Sequence, residues 1–438
     1  MIIQRSGQDA LFQNDGLTPA LADTQPAQDV LMLAFQHVSA TFMHALFDTK
    51  ALYYPQLDAI LQRLSERMYD GVPGWDAGSG LQLIVGSHFS AVGGHSRVAK
   101  NFAALAPRNL VVVTDPFDQQ TPAERREMIG FFAPLPVVFV PAGDLAFKAD
   151  WLRALILQVR PDYTNCFNHH MDPVPVVATA AAPVPRRIYY HHADYRPSLG
   201  ASMGAFDHVD LSGETGRLCA GKCGAGHAHV IDLYDAQVAE PARMPLRVPG
   251  APLNTVSAGS AGKYRFDPTP GPLSYPHVVA ELVRAGSGAH HHFGNLADEQ
   301  QAFVRHLLAA QGSDPARFVY HGNVPSVQRA LLEIANPVYL PSFPVGGGLT
   351  IVEVMSAGVP VLVNAWAPAQ DEHDFAAAVQ RGLMPDLHAS FTGLEGVAPA
   401  LAAVGADYDA CARASHARFE QRHSRASFLA GLGGLRVA

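Results

Sequence analysis

The sequence predicts an α/β protein with two Rossmann-like domains behind an N-terminal helical extension. The 438 residues suffice for two or three domains of about 100–200 residues each. From Leu81 onward, short apolar runs alternate with segments of helical periodicity, which is typical of parallel sheets built from βαβ units. The alternation starts again after a proline-rich stretch, Pro241–Pro252, which we interpret as a linker. The predicted segments are therefore 1–78, 79–245, 246–408 and a C-terminal helical segment, 409–438.

The composition excludes several classes of protein. Hydrophobic residues make up 48% of the chain and charged residues 16%, which is a globular composition. The net charge of −8 and the lack of a Lys/Arg cluster argue against a nucleic-acid partner, so any anion must be held locally. The polar start, the absence of an apolar run of roughly 18–20 residues and the four cysteines lead us to expect no signal peptide, no membrane span and a cytoplasmic location.

Two amphipathic helices are predicted in the N-terminal extension. The apolar residues at helical spacing are Leu31, Phe35, Val38, Phe42 and Leu46 in the first and Leu57, Ile60, Leu61, Leu64 and Met68 in the second. Gly71 and Pro73 end the second helix. Because apolar stripes need a partner, we expect these helices to pack on the first Rossmann-like domain or to pair across a homodimer.

The remaining elements follow from the same alternation. The strands predicted in the first domain are Leu81–Val85, Asn109–Thr114, Pro136–Pro141, Asp162–His169 and Arg187–His191. Those in the second domain are Asn254–Ala258, Ala289–Phe293, Arg317–His321, Pro337–Leu340 and Val359–Val363. Helices are predicted at His95–Leu105, after the capping box that begins at Thr121, and at Tyr275–Arg284, Ala297–Gln311, Pro325–Ala335, Leu349–Ala357 and within Asp409–Leu432. Gly312 and Gly358 stand where a helix ends on a left-handed glycine.

The segment Pro337–Asn364 has the most informative pattern, which is strand, loop, three glycines, helix, glycine and strand. Gly346–Gly348 leave the backbone bare at a helix start, where free N–H groups and the helix dipole favour an anion such as a diphosphate. Glu353 lies one turn past Leu349, where its carboxylate could bond ribose hydroxyls. A tight turn with a solvated glutamate is the alternative interpretation.

This segment resembles the nucleotide-binding half of glycosyltransferases with the two-Rossmann (GT-B) fold. Pro341-Ser342 opens the loop, Glu353 matches the second acid of the E-x7-E pair of a large family, and Ala357-Gly-Val-Pro-Val361 matches the strand that follows. The run Arg317–Pro325 resembles the family's strand ending in Gly-x-Val-Pro. Val345 occupies the position of the first acid, which normally serves the donor sugar. The sugar and the stereochemical course therefore stay open.

The resemblance implies two domains that face each other across a cleft, a final helix packing back on the first domain, and a nucleotide-diphosphate sugar as substrate without any cofactor. In such transferases a cation from the loop after the second domain's first strand neutralises the departing diphosphate. Lys263 is the first candidate and Arg265 the second, a surface lysine being the alternative. The predicted donor-binding residues are Lys263, Arg265, Asn323, Gly346, Gly347, Gly348, Leu349, Thr350 and Glu353.

A second glycine pair, Gly93-Gly94, leads into a helix after the first strand of the first domain. Ligands bind at this carboxyl edge in open α/β sheets, and many transferases of the resembling fold have a Gly-Gly loop here. We predict an acceptor or phosphate loop of Gly93, Gly94 and Arg97, with His95 facing the cleft. The spacing differs from G-x-G-x-x-G, so NAD is not predicted. A helix entry without a ligand is the alternative.

Titratable residues follow another predicted strand, in His191-His192-Ala-Asp194. His192 could act as a base that Asp194 orients, with His95 as the second candidate base. The predicted catalytic residues are thus His192, His95 and Asp194, and hydrogen-bonded loop residues are the alternative. Side chains of the run 168–172 are also expected to line the cleft.

No metal site is predicted. Cys219-x3-Cys223-x3-His227-x-His229 lacks the usual C-x2-C spacing, and its Gly and Ala neighbours suggest a flexible loop. No Asp-x-Asp pair occurs in a suitable place, so no catalytic metal is expected. His290–His292 is expected to alternate between the faces of a strand.

The leading functional hypothesis is metal-independent transfer of a sugar to a protein, glycan or lipid-linked saccharide, in bacterial glycan or glycoprotein biosynthesis. A nucleotide-sugar 2-epimerase is a second hypothesis, which would convert the donor without releasing free nucleotide. A third is a non-catalytic sensor or scaffold, which would bind the nucleotide sugar and turn nothing over. Val345 in place of an acid keeps the third hypothesis open.

Overall fold

A computed structural model describes residues 17–41, 53–90, 94–192, 197–224, 227–238, 247–286, 288–365 and 382–437. The chain forms two compact units, of which unit 1 is Met1–Asp232 with Leu429–Ala438 and unit 2 is Leu233–Phe428. The domain boundaries given from the sequence stay predictions. Among the helices of the described ranges, none has both the length and the apolar character needed to cross a lipid bilayer.

Unit 1 is built on a seven-stranded sheet. Its strands are β1 (Leu81–Gly86), β2 (Arg108–Val113), β3 (Val137–Phe139), β4 (Tyr163–Phe167), β5 (Arg186–Tyr190), β6 (Asp207–Asp210) and β7 (Ala228–Val230). Their order is β3-β2-β1-β4-β5-β6-β7, and every neighbouring pair is parallel. β1 and β4 are buried along their whole length, as expected at the centre of a sheet covered on both faces. The strand order reverses between them, and ligands of open α/β sheets generally bind at the carboxyl ends of the strands beside such a reversal.

Helices flank this sheet. They are α1 (Leu21–Thr24), α2 (Ala27–Thr41), α3 (Pro55–Met68), α4 (Gly94–Asn101), α5 (Pro122–Phe132), α6 (Leu145–Val159), α7 (Pro173–Thr179) and α8 (Gly213–Cys223). The capping box predicted at the start of α5 is confirmed, because Thr121 Oγ1 accepts from the Glu124 N–H and Glu124 Oε2 accepts from the Thr121 N–H. Residues 429–437 also belong to unit 1, where the Val437 N–H donates to the Tyr163 hydroxyl at 2.9 Å.

The two predicted N-terminal helices are confirmed as α2 and α3, and they pack on α6 and α7 of unit 1. Phe42 and Leu46 lie outside the described residues. The buried Asp58 carboxylate of α3 accepts hydrogen bonds from the backbone N–H groups of Gly200 and Ser202, at 2.6 and 2.9 Å. The extension is therefore tied to unit 1 by a polar anchor as well as by apolar packing.

A buried lysine holds the carboxyl end of β2. Lys148 of α6 is fully buried, and its Nζ donates to the carbonyls of Thr114 and Asp115 at 3.2 and 2.6 Å. The third donor contacts Asp118 Oδ1 at 2.7 Å. All three ammonium donors are thus satisfied, as the burial of a charged amine requires.

Unit 2 contains a second parallel sheet. The strands are β8 (Asn254–Ala258), β9 (His290–Phe293), β10 (Phe318–Gly322), β11 (Pro337–Tyr339), β12 (Leu362–Asn364) and β13 (Ala389–Phe391). Four form a sheet in the order β10-β9-β8-β11, β12 pairs with β13, and a parallel bridge joins Tyr339 to Val361. The helices are α9 (Tyr275–Arg284), α10 (Asp298–Ala310), α11 (Val327–Leu332), α12 (Gly348–Ser356), α13 (Val397–Ala406), α14 (Tyr408–Arg418) and α15 (Arg425–Gly433), of which α15 extends past the end of unit 2.

The three consecutive histidines of β9 alternate between the faces of the sheet, as predicted. His290 and His292 are buried and share the Tyr275 hydroxyl, which lies 2.9 Å from His290 Nε2 and 2.6 Å from His292 Nδ1. His291 lies on the other face, where its Nδ1 is 2.9 Å from His321 Nε2. These histidines are therefore part of the hydrogen-bonded framework of unit 2.

Several sequence expectations need correction. The residues around Cys219 were expected in a flexible loop, but Gly213–Cys223 is a helix that Ser212 caps by accepting from the Thr215 N–H. Its glycines are tolerated because one of them, Gly216, lies against Val230, where a Cβ would come within 2.5 Å of Cγ2. Strands β6, β7 and β13 were not predicted, and α11 is shorter than expected. Gly312 and Gly358 have the predicted left-handed φ, +75° and +66°.

Candidate functional site

The predicted donor loop joins β11 to α12 in unit 2. The Ser342 hydroxyl donates to the Val345 carbonyl at 2.8 Å, and Pro344 pairs with Tyr264 in an isolated antiparallel bridge. These contacts fix the loop against the segment that follows β8. Gly347 then stands at the N-cap of α12 with extended backbone, and Gly348 is the first helical residue.

The three glycines differ in their surroundings. A Cβ on Gly346 would meet no atom within 4 Å, so this residue is open. A Cβ on Gly347 would lie 3.1 Å from Lys263 Nζ and 3.5 Å from Thr350 Oγ1. A Cβ on Gly348 would come within 2.6 Å of Leu233 Cδ1, so packing explains this glycine as well as ligand approach does.

Lys263 is brought to the glycine loop from a different part of the sequence. It ends a 3₁₀ turn, Ala261–Lys263, that follows β8, and its Nζ donates to the Gly346 carbonyl at 3.3 Å. Arg265 is exposed, and its backbone pairs with Ser274 and Tyr275. Of the two predicted phosphate-binding cations, Lys263 is the one whose Nζ lies beside the glycines.

Glu353 is buried inside the helix that the glycines begin. Its Oε2 accepts hydrogen bonds from the backbone N–H groups of Val327 and Gln328, at 2.7 and 3.2 Å. The carboxylate therefore stabilises the first turn of α11, a role that the sequence did not reveal. Asn323 is exposed in the loop before α11, Leu349 is buried and Thr350 is half-buried.

This arrangement can bind a phosphate group. A helix N-terminus, a glycine with open space and a lysine ammonium converge within one loop, and each of them favours a negative charge.

A cluster of histidines lies at the carboxyl edge of the unit 1 sheet. His88 follows β1, His169 and His170 follow β4, His192 follows β5, and His95 lies in the first turn of α4. The His95 and His192 rings are tilted by 31° with centroids 4.1 Å apart, and the His95 and His169 centroids are 5.8 Å apart. The cluster therefore occupies the position where the strand order reverses.

Desolvation lowers the pKa of three of these imidazoles, those of His95, His169 and His192. Desolvation, followed by the neighbouring His169, lowers the pKa of His95 to about 3. Desolvation and then His88 lower the pKa of His169 to about 4. The pKa of His192 is well below its ordinary value because of burial first and the neighbouring His95 and His170 next. Neutral imidazoles can accept hydrogen bonds from hydroxyl groups, and within the described ranges His95 Nε2 is buried without a hydrogen-bond partner.

The structure describes only some of the other residues predicted for this region. Gly93 and Asp194 lie outside the described residues, so the proposed pairing of His192 with Asp194 stays a prediction. Gly94 begins α4 as expected, and Arg97 is half-buried in that helix. Sequence reasoning missed His88, whose Nε2 is 3.8 Å from Asp115 Oδ1. His88 also lines a cavity of about 410 Å³ together with Gln119, Gln120, Glu124 and Glu127.

Comparisons by sequence give no relative, since no protein-family model matches the chain and no curated protein matches it.

Solved structures do resemble it. A lipopolysaccharide outer core galactosyltransferase, WaaB, is 13% identical with a TM-score of 0.57, over 81% of this chain and 98% of that one. An O-GlcNAc transferase from Thermobaculum terrenum, in a mutant form, is 13% identical with a TM-score of 0.54, over 93% and 77%. HepE from Anabaena, in complex with UDP-glucose, is 13% identical with a TM-score of 0.54, over 81% and 98%. The chain thus has the α/β fold of two-Rossmann glycosyltransferases, as the sequence predicted.

Proposed function

We propose that this protein is a glycosyltransferase that takes its sugar from a nucleotide diphosphate. The observation that carries the proposal is the contact of Lys263 with the glycine loop at the start of α12. Residues 263 and 346 come from separate βα connections, so a lysine has been placed against bare backbone at a helix N-terminus. A diphosphate is the ligand that this chemistry fits best.

The same lysine supplies the chemistry of the leaving group. When the glycosidic bond to the nucleotide breaks, negative charge develops on the diphosphate, and a fixed cation with helix N–H groups stabilises that charge. A lysine in this role makes the transfer independent of a metal ion. Uridine diphosphate is the first nucleotide to test, because HepE, which shares the fold, was solved in complex with UDP-glucose.

We place the acceptor at the histidine cluster of unit 1. Neutral imidazoles and the polar cavity beside His88 suit a sugar or another hydroxylated acceptor. His192 remains the first candidate for the base that removes the acceptor's proton, followed by His95. The pKa of each is lowered by burial, and an anionic substrate group bound nearby would raise it toward the working pH, where a general base is most effective.

A thermal-shift screen with UDP-, GDP-, dTDP-, CMP- and ADP-sugars tests the donor proposal, because a ligand that binds the folded state raises the melting temperature. Release of free nucleotide in the presence of saccharide acceptors then identifies a transferase. Conversion of the donor without nucleotide release would identify an epimerase, and binding without turnover a sensor. A chain that no nucleotide sugar stabilises would contradict the proposal.

A further inference from the structure

We propose that unit 1 contains a binding site for a zinc-like divalent transition metal, formed by His191, His208, Asp210 and Cys219. This inference is independent of the glycosyltransferase proposal, and it departs from the sequence-based expectation that no metal is bound. The four side chains are buried, and one potential ligand atom from each lies within 4.8 Å of all the others.

The fold brings these residues together from three neighbouring elements. His191 follows β5, while His208 and Asp210 are two residues apart on β6 and so lie on the same face of the sheet. Cys219 is on α8, which packs against β6 and β7. No sequence motif contains this set, which is why the pattern escaped the analysis of spacing.

The distances suit a tetrahedral site. His191 Nδ1 is 3.3 Å from Asp210 Oδ1 and 3.4 Å from Cys219 Sγ. Cys219 Sγ is 3.2 Å from Asp210 Oδ1, and His208 Nδ1 is 3.7 Å from Asp210 Oδ2. Metal–nitrogen bonds of about 2.0–2.1 Å and metal–sulfur bonds of about 2.3 Å put neighbouring donors about 3.3–3.6 Å apart. Small side-chain shifts would therefore allow all four donor atoms to coordinate one ion.

The charges favour a cation at this position. Asp210 is only 1% exposed, and among the described residues its ion-pair partners are His191 and His208, with no lysine or arginine. A buried carboxylate is costly unless it is paired with a positive charge or coordinates a metal. Histidines that coordinate a metal are neutral, so the Asp210 carboxylate and a Cys219 thiolate would balance a charge of +2, with the thiol proton passing to solvent when the metal binds.

Hydrogen bonds alone are the competing explanation. The Tyr53 hydroxyl donates to Cys219 Sγ at 3.1 Å, which is the type of outer contact that orients a metal-bound thiolate but also one that a thiol can accept. A ring of hydrogen bonds leaves Asp210 Oδ2 buried without a hydrogen-bond partner in the described part of the chain. A bound divalent metal would neutralise the Asp210 carboxylate by coordinating it.

The proposed site shares only Cys219 with the spaced motif Cys219-x3-Cys223-x3-His227-x-His229. His227 and His229 lie near Asp207, with His229 Nε2 at 3.4 Å and His227 Nδ1 at 3.7 Å from Asp207 Oδ1. A metal at His191 would join β5, β6 and α8, and it would fix the backbone one residue before His192.

Cobalt binding to the whole protein tests the inference. The purified chain is stripped with a chelator and titrated with Co²⁺ alone, and we expect thiolate-to-cobalt absorption and strong visible bands of tetrahedral cobalt that saturate at one equivalent. Zn²⁺ should displace the cobalt and raise the melting temperature of the stripped protein. We expect Cys219→Ser to weaken Co²⁺ binding by more than about 100-fold, since even the loss of an outer-shell partner commonly costs about 10–100-fold.

Cys166→Ser is the matched control, because Cys166 is a buried thiol on the same sheet, hydrogen-bonded to Thr179 Oγ1 at 3.1 Å. It should leave the cobalt spectrum unchanged. His208→Gln provides a second ligand variant if Cys219→Ser does not fold. The inference is wrong if the parent protein shows no thiolate band at one equivalent. It is equally wrong if the band survives both ligand variants or disappears in the control.

Discussion

Replacing Lys263 by methionine isolates the charge of the proposed donor site. The two side chains have similar length, so Lys263→Met removes the ammonium group beside Gly346 and Gly347 and leaves most of the apolar stem. Lys263 is half-buried at the end of a 3₁₀ turn, so we expect the variant to fold. Its effect should fall on the phosphate end of the ligand.

The size of the effect follows from the contact. A hydrogen bond to a charged group contributes about 1.5–3 kcal/mol, which corresponds to about 10–150-fold in Kd. Partial exposure lets solvent and salt screen the lysine, which places the expected loss in the lower part of this range, about 10–30-fold at low ionic strength. The loss should shrink as salt is added.

Calorimetry with UDP and with uridine separates phosphate from nucleoside binding. Lys263→Met should weaken the binding of UDP and leave the affinity for uridine unchanged, because uridine has no phosphate. Arg265→Met is the control, since it removes an exposed charge of the same segment, and we expect less than about a twofold change in the Kd of UDP. If the preferred nucleotide differs from UDP, its own diphosphate and nucleoside replace the pair.

Equal affinity of Lys263→Met and the parent protein for the nucleoside diphosphate would refute this reasoning. A larger loss in Arg265→Met would move the phosphate site away from the glycine loop. A loss of uridine affinity equal to the loss of UDP affinity would mean that the variant has disturbed the whole loop.

Three further predictions rest on particular contacts. Glu353→Gln should weaken the binding of uridine and of UDP alike while keeping the fold, and an unaltered nucleoside affinity in calorimetry would exclude the ribose role. Glu353→Ala should also lower the free energy of unfolding measured in urea, because it leaves the Val327 and Gln328 N–H groups without their acceptor. Asp58→Ala should cost about 2–6 kcal/mol of stability in urea unfolding, because two backbone N–H groups lose their acceptor, and a cost near zero would show that the N-terminal helices are not anchored there. The pKa of His95 is about 3, so between about pH 6.5 and 3 the unfolded chain binds a proton that the folded chain does not, and this residue makes stability fall as pH is lowered through that window. Asp58, whose pKa burial raises to about 6, acts in the opposite direction. The test therefore compares how the free energy of unfolding changes with pH in the parent and in His95→Gln, and an identical dependence would contradict the low pKa of His95.

The sequence predicted the fold because local and global signals agree in most of the chain. The buried runs of β1, β2 and β4, the capping box at Thr121 and the left-handed glycines at 312 and 358 each have a local cause. β6 was missed because Asp207-His-Val-Asp210 is polar by composition and becomes buried only through pairing between β5 and β7. α8 was missed because its glycines count against a helix, whereas Val230 makes one of them necessary.

The candidate site was only partly predictable for a related reason. The glycine loop lies in one continuous segment, so its pattern can be recognised in the sequence. The contact of Lys263 with Gly346 joins residues 83 apart, and only the resemblance to a family suggested it. The role of Glu353 at the start of α11 depends on where that helix begins, and the contact of the His95 and His192 rings depends on how their two elements pack. Spacing along the chain does not contain that information.

Because Lys148 is buried, its chemical reactivity reports local opening of unit 1. Acylating reagents attack free amines, and a lysine whose three donors are all engaged beneath α6 reacts only when the β2–α6 region opens. Lys263 is half-buried and can react without such opening, so a bound diphosphate should slow its acylation while leaving the acylation of Lys148 unaffected. Mass-spectrometric rates of modification at these two amines would thus follow local opening of one unit and ligand occupancy of the other in a single sample.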